Sequence, residues 1–174
     1  MENTNKQSDI KDINDKDYFR EMSNWLAKIR FLKEEINLLE AKESFIVAFI
    51  LKTCLIEWEL KQLIFSLDLH LHFNNKSEYL TKKIMTPNDM DAERWTLGKI
   101  QRELKRYEGK FLENLQENLK ELNSNRNKFI HELFNPGSIN DLIEQSRKSL
   151  ENANQVFNNI DEVNNFLKQI QPYI

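Results

Sequence analysis

Three glycines and three prolines in 174 residues leave this chain few places to turn. A strand-rich fold needs many tight turns, and those residues supply them. The apolar residues recur instead at steps of three and four, the spacing of one buried helix face. Trp25, Ile29, Leu32, Ile36 and Leu39 form such a stripe, predicting a first helix from a cap at Asp17 to about Glu40. The expectation is all-α: an up-and-down bundle of four to five main helices. At 20.9 kDa the chain suits one domain with a real core. That domain is assigned to residues 18–174, after a polar lead-in, 1–17, expected to be disordered.

A second helix is predicted over about Ala41–Leu69. Its apolar residues surround nearly the whole circumference and leave Lys52, Glu59, Gln62 and Ser66 as a wet strip, so it should be the central helix. Cys54 and the three tryptophans, Trp25, Trp58 and Trp95, are expected in the core. Residues 70–93, with His70, His72 and the Thr86-Pro87-Asn88 break, read as a loop or excursion with a short helix around 77–84. A third unit spans about Trp95–Tyr107, with bends at Gly98 and Gly109. The fourth helix runs from about Lys110 to Phe134, stopped by Asn135-Pro136-Gly137. Ser138 then caps a last helix reaching about Ile170.

Formal net charge is −3, so global electrostatics do not favour a polyanion. From Arg94 to Lys128, however, nine basic residues face five acidic ones, a local +4. Glu113 and Glu117 near Lys110 and Lys120 also fit ordinary helix charge pairs. One cysteine excludes an intrachain disulfide. Residues 44–67 are the most apolar stretch, yet Lys52, Glu57, Glu59 and Lys61 interrupt it at about 2.5–3.5 kcal/mol each in a bilayer centre. With no targeting pattern at the start, the expectation is a cytoplasmic protein without a membrane span.

The segment Leu122-Asn123-Ser124-Asn125-Arg126-Asn127-Lys128-Phe129-Ile130-His131 carries the chemistry. On the fourth helix Phe111, Leu115, Leu119, Leu122, Phe129 and Leu133 share one face, and Arg126 falls in the middle of it. A charge there needs an acid, a phosphate or a wet cleft. Glu57 is the candidate acid, although an i,i+4 pair with Lys61 is its ordinary alternative. His131 lies about 140° further round, at the edge of the stripe, with Asn127 one turn below it. An arginine that keeps its charge and an imidazole that titrates near neutrality suit a phosphodiester.

Arg126-x4-His131, the polar Asn127 after the arginine, the apolar pair Phe129-Ile130 and the position late in a helix resemble the motif of HEPN-domain ribonucleases. Trp95-Thr96-Leu97-Gly98-Lys99-Ile100 is similar to a Leu-Gly turn that often precedes this helix in that family. The resemblance covers about residues 20–170 as architecture and about twenty residues as motif. It implies a HEPN-like helical bundle that dimerises with its motif helices facing, and an endoribonuclease acting as a toxin or abortive-infection effector. His131 would then be the acid or base, Arg126 the phosphate ligand and Asn127 an orienting group, with Glu57 in support. No metal or cofactor is implied. Partners would be an RNA substrate, a second copy, and an antitoxin or other defence-system protein.

Leu133 and Phe134 stand where some members carry a tyrosine modified by a partner nucleotidyltransferase, so that mode of control is not expected. His70 and His72 lack further Cys or His nearby to complete a metal site. The isolated glycines form no phosphate loop. The alternatives from other classes are a non-catalytic HEPN-like module binding RNA or a partner protein, and an unrelated helical adaptor.

Overall fold

The computed structural model describes residues 15–73, 79–82, 96–135 and 137–170, with first-helix side chains from Ser23 onward. Among them are five α-helices: α1 (Asp15–Ala41), α2 (Phe45–Phe73), α3 (Leu97–Leu104), α4 (Glu113–Leu133) and α5 (Ile139–Ile170). A strand β1 (Thr81–Lys82) pairs antiparallel with β2 (Tyr107–Glu108), Thr81 opposite Glu108 and Lys82 opposite Tyr107. The all-α bundle expected from the spacing is the architecture found. Asp17 lies inside α1 and not at its cap.

α2 is the central helix, packed on α1, α3 and α5, while α4 lies against α3 and α5. The shared core takes Phe49, Ile56, Leu60, Leu63 and Leu67 from α2, Leu115, Leu119, Leu122 and Phe129 from α4, and Leu150, Val156, Ile160 and Val163 from α5. α3 adds Leu97, Ile100 and Leu104 at no exposure. Trp25 of α1 meets Trp58 of α2 with ring centroids 4.1 Å apart, both half-buried. α1 ends in a reversed turn: Ser44 N–H donates to the Leu39 carbonyl and Glu43 N–H to Glu40, with Glu43 at φ 57°. This is the left-handed closure usually given to glycine.

The strip of α2 expected to be wet lies partly under α1. Lys52 pairs with Glu40 at 3.2 Å and Glu59 with Lys33 at 3.3 Å, and both lysines approach the Phe157 ring of α5. Complementary charges on another helix, invisible in the periodicity of α2, let that strip be covered. The exposed side of α2 instead carries Val47, Ile50 and Phe65, together with Cys54, which is therefore not a core residue.

α2 continues through Phe73, so His70 and His72 are helical and not in a loop. Burial lowers the pKa of His70, which is only 3 % exposed. Two residues apart on a helix, the pair diverges by about 200° and cannot share a ligand side by side. Of the expected short helix around 77–84, residues 79–82 are described and are not helical, with Thr81–Lys82 forming β1; the Thr86-Pro87-Asn88 break and Trp95 lie outside the described residues.

Asp68 of α2 fastens the strand pair to the bundle. Its carboxylate accepts from Lys82 Nζ at 2.6 Å and from Tyr107 Oη at 2.7 Å. Burial and the Asp68 hydrogen bond push the Tyr107 phenol far above the ordinary tyrosine range. Gly98 makes no bend: it belongs to the first turn of α3. Gly109 has extended backbone, and its need is space. A Cβ there would sit 2.6 Å from the Tyr79 carbonyl oxygen and 2.8 Å from Phe111 Cε1. A single 3₁₀ turn, Lys110–Leu112, then leads into α4. Ser138 caps α5 through Oγ, accepting from Asn140 N–H at 3.2 Å.

Candidate functional site

Arg126 emerges from α4 into the junction of three helices. Its Nη2 stands 3.3 Å from Oε1 of Glu57 on α2. The same oxygen accepts the Leu97 amide, the first residue of α3, at 3.0 Å. One carboxylate oxygen therefore serves an exposed helix start and a guanidinium. The charge in the apolar stripe is met by the acid that interrupts the apolar side of α2. Neither partner is sealed: side-chain exposure is 29 % for Arg126 and 19 % for Glu57.

Cys54, one turn before Glu57, feels both charges. Its thiol is raised above the ordinary range by crowding of its neighbours and by the Glu57 carboxylate, against an opposing pull from Arg126.

α3 explains why the site opens at this level. The short helix covers one flank of α4, held by Asn123 Nδ2 donating to Gln101 Oε1 at 3.1 Å. Gln116 Nε2 donates to the Leu104 and Tyr107 carbonyls at 3.0 and 2.9 Å. α3 begins at Leu97, beside Arg126, and α4 continues for two further turns. On those turns Ile130 is 40 %, Leu133 41 % and Phe134 84 % exposed. Leu133, expected on the buried face, is thus at the surface. Phe129 stays in the core, edge-on to Phe49 with ring centroids 5.2 Å apart.

Asn127 and His131 are exposed, and neither side chain makes a hydrogen bond or ion pair among the described residues. Helical geometry sets His131 about 140° round from Arg126 and about 7.5 Å along the axis. Of the four residues singled out in the sequence, Arg126 and Glu57 are together. Asn127 and His131 share a neighbouring strip and do not touch that pair. The polar bridges of Gln101, Asn123 and Gln116 were not anticipated. Their one sequence signal is that Gln116 and Asn123 lie seven residues apart on one line of α4.

The arrangement offers a partly wet guanidinium held by a carboxylate, an exposed imidazole and amide, and an apolar rim. Among the described residues no group of three or more His, Cys, Asp or Glu is placed to hold a metal ion. None of their helices is long and apolar enough to cross a membrane. Comparison with protein-family models, curated proteins and solved structures yields no match.

Proposed function

We propose that this protein is a metal-independent endoribonuclease of the HEPN type, acting as a toxin or abortive-infection effector through a site shared by two copies. The observation that carries this reading is the position of Arg126. It sits where the cover of α3 ends, paired with Glu57 yet partly open, next to exposed Asn127 and His131 and an apolar rim. One α4 helix aims its arginine and histidine about 140° apart, so a single phosphate cannot readily engage both from one chain. A second copy packed two-fold on Ile130, Leu133 and Phe134 would bring an imidazole of one chain towards the guanidinium of the other.

In the reaction, the ribose 2′-oxygen bonds to phosphorus as the phosphorus–O5′ bond breaks. One His131 takes the 2′-hydroxyl proton and the second copy's His131 gives a proton to the leaving 5′-oxygen. Arg126 stabilises the charge that grows on the non-bridging oxygens, and Asn127 orients the phosphate. The products are a 2′,3′-cyclic phosphate and a 5′-hydroxyl. A non-catalytic module binding RNA or a partner protein is the second reading, favoured by the pairing of Arg126 with an acid of its own chain.

Purified protein incubated with cellular RNA in excess EDTA tests the proposal. Cleavage with cyclic phosphate ends is expected. His131→Ala and Arg126→Ala should each lower the rate by about 10²–10⁴-fold without loss of helical circular dichroism. A magnesium requirement, or near-full activity in either variant, overturns it. Binding without cleavage by the wild type selects the second reading.

A further inference from the structure

The seam between α3 and α4 has a charge pattern that the site itself does not use. Gln101 and Asn123 bridge the two helices, and Lys105, the cap just past α3, lies four residues after Gln101, about 40° round and exposed. Arg102, also exposed, is one position round. On α4, Lys120 falls between the two residues that hold α3, Gln116 and Asn123, and points to the exposed edge of the seam. At 100° per residue, Asn127 and His131 lie about 20° to either side of Lys120's direction, within a strip about 40° wide. They form one exposed line about 16 Å long.

Arg102, Lys105 and Lys120 make no ion pair among the described residues, a property they share with Lys148 and Lys168 of α5, whereas Lys33, Lys52, Lys82 and Arg147 each face an acid. Glu113 begins the same line and Glu117 borders it, about 60° round from Lys120. The line therefore runs from acidic, through basic, to the amide and imidazole.

We infer that this seam is the track that binds single-stranded RNA and leads it to His131, with Lys105 and Lys120 as phosphate contacts and Arg102 beside them. The inference rests on the ribonuclease reading and adds the path of the substrate. Lys120 on this line, with Lys105 and Arg102 across the seam and hydrogen-bonding groups at its end, fits one flexible backbone. A net charge of −3 gives no general attraction for a polyanion, so binding would depend on local cations such as these.

Fluorescence anisotropy with a labelled single-stranded oligoribonucleotide tests it, in a His131→Ala background that prevents cleavage. Lys105→Glu/Lys120→Glu should weaken binding at least tenfold. Lys105→Gln/Lys120→Gln should flatten the slope of log affinity against log salt by about 1.4, at roughly 0.7 per phosphate contact on a single strand. Lys148→Glu/Lys168→Glu, the same charge change on exposed sites of α5, should alter affinity less than threefold. The glutamine pair keeps the test valid if the reversed pair folds poorly.

Equal losses in the seam and α5 pairs, or tighter binding to duplex DNA than to single-stranded RNA, overturn the seam. Cleavage by the wild type that neither seam pair slows also overturns it and leaves the ribonuclease reading intact. Seam-dependent binding without any cleavage sinks that reading and supports the track.

Discussion

A guanidinium has five N–H donors, and Glu57 presents Arg126 with an oxygen already bonded to the Leu97 amide. Replacements at Glu57 separate the two tasks. Glu57→Gln keeps an oxygen for the amide and removes the charge, so stability should fall by about 0.5–1 kcal/mol, the range of a partly exposed ion pair. Glu57→Ala also removes the acceptor at the start of α3 and should cost about 1 kcal/mol more. Urea denaturation of the two variants measures the difference; equal losses would show that the amide bond contributes nothing.

This pairing was legible in the sequence because both residues break an apolar pattern. His131 and Asn127 were legible as residue types on a helix, but their separation from Arg126 follows from the angle between them. The bridges from Asn123 and Gln116 were hidden, because amides fit an exposed helix face as well as a seam.

At the scale of elements, the long helices follow from the three- and four-residue spacing, and the small strand pair does not. Strands of two residues carry no period. This pair exists because Asp68 of α2 binds both Lys82 and Tyr107, residues that become neighbours only in the folded chain. Gly109→Ala should destabilise the protein by about 1–3 kcal/mol, since its Cβ would press on the backbone of Tyr79 and the ring of Phe111. A lower urea midpoint with helical content retained is the expected result.

Tyr107 gives the same region a dependence on pH. Its folded pKa lies above the unfolded value, so above about pH 10 the unfolded chain releases a proton that the folded one keeps. Stability from this residue is intact below pH 10 and falls by up to about 1.4 kcal/mol per pH unit above it. Denaturation at pH 9, 10 and 11 should show a shallower loss in Tyr107→Phe than in the wild type; parallel losses would contradict the assignment.

For the molecule as a whole, the unresolved balance is apolar surface. Val47 and Ile50 on α2, Ile130 and Leu133 on α4, and Phe134 just past its end are each 40 % or more exposed, on or beside helices joined through Arg126 and Glu57. The two-fold contact proposed above would cover the Ile130, Leu133 and Phe134 part of this surface. Sedimentation at micromolar concentration should give a homodimer, and Ile130→Asp/Phe134→Asp should give a monomer that keeps its helical circular dichroism and loses the concentration dependence of its melting temperature. Mixing inactive Arg126→Ala and His131→Ala proteins should restore some activity if each centre tolerates one defective motif. A wild-type monomer at those concentrations would remove the shared site.

The doubly used Glu57 oxygen makes two parts of the molecule rivals. Whatever draws the guanidinium away leaves that oxygen to the α3 amide alone, and whatever loosens the amide leaves it to the arginine. In the proposed site, the hold of Arg126 on an incoming anion would therefore be adjustable from the other side of the junction. A substitution in the first turn of α3 should retune anion affinity without touching the anion, and a bound anion should register as altered amide exchange at Leu97.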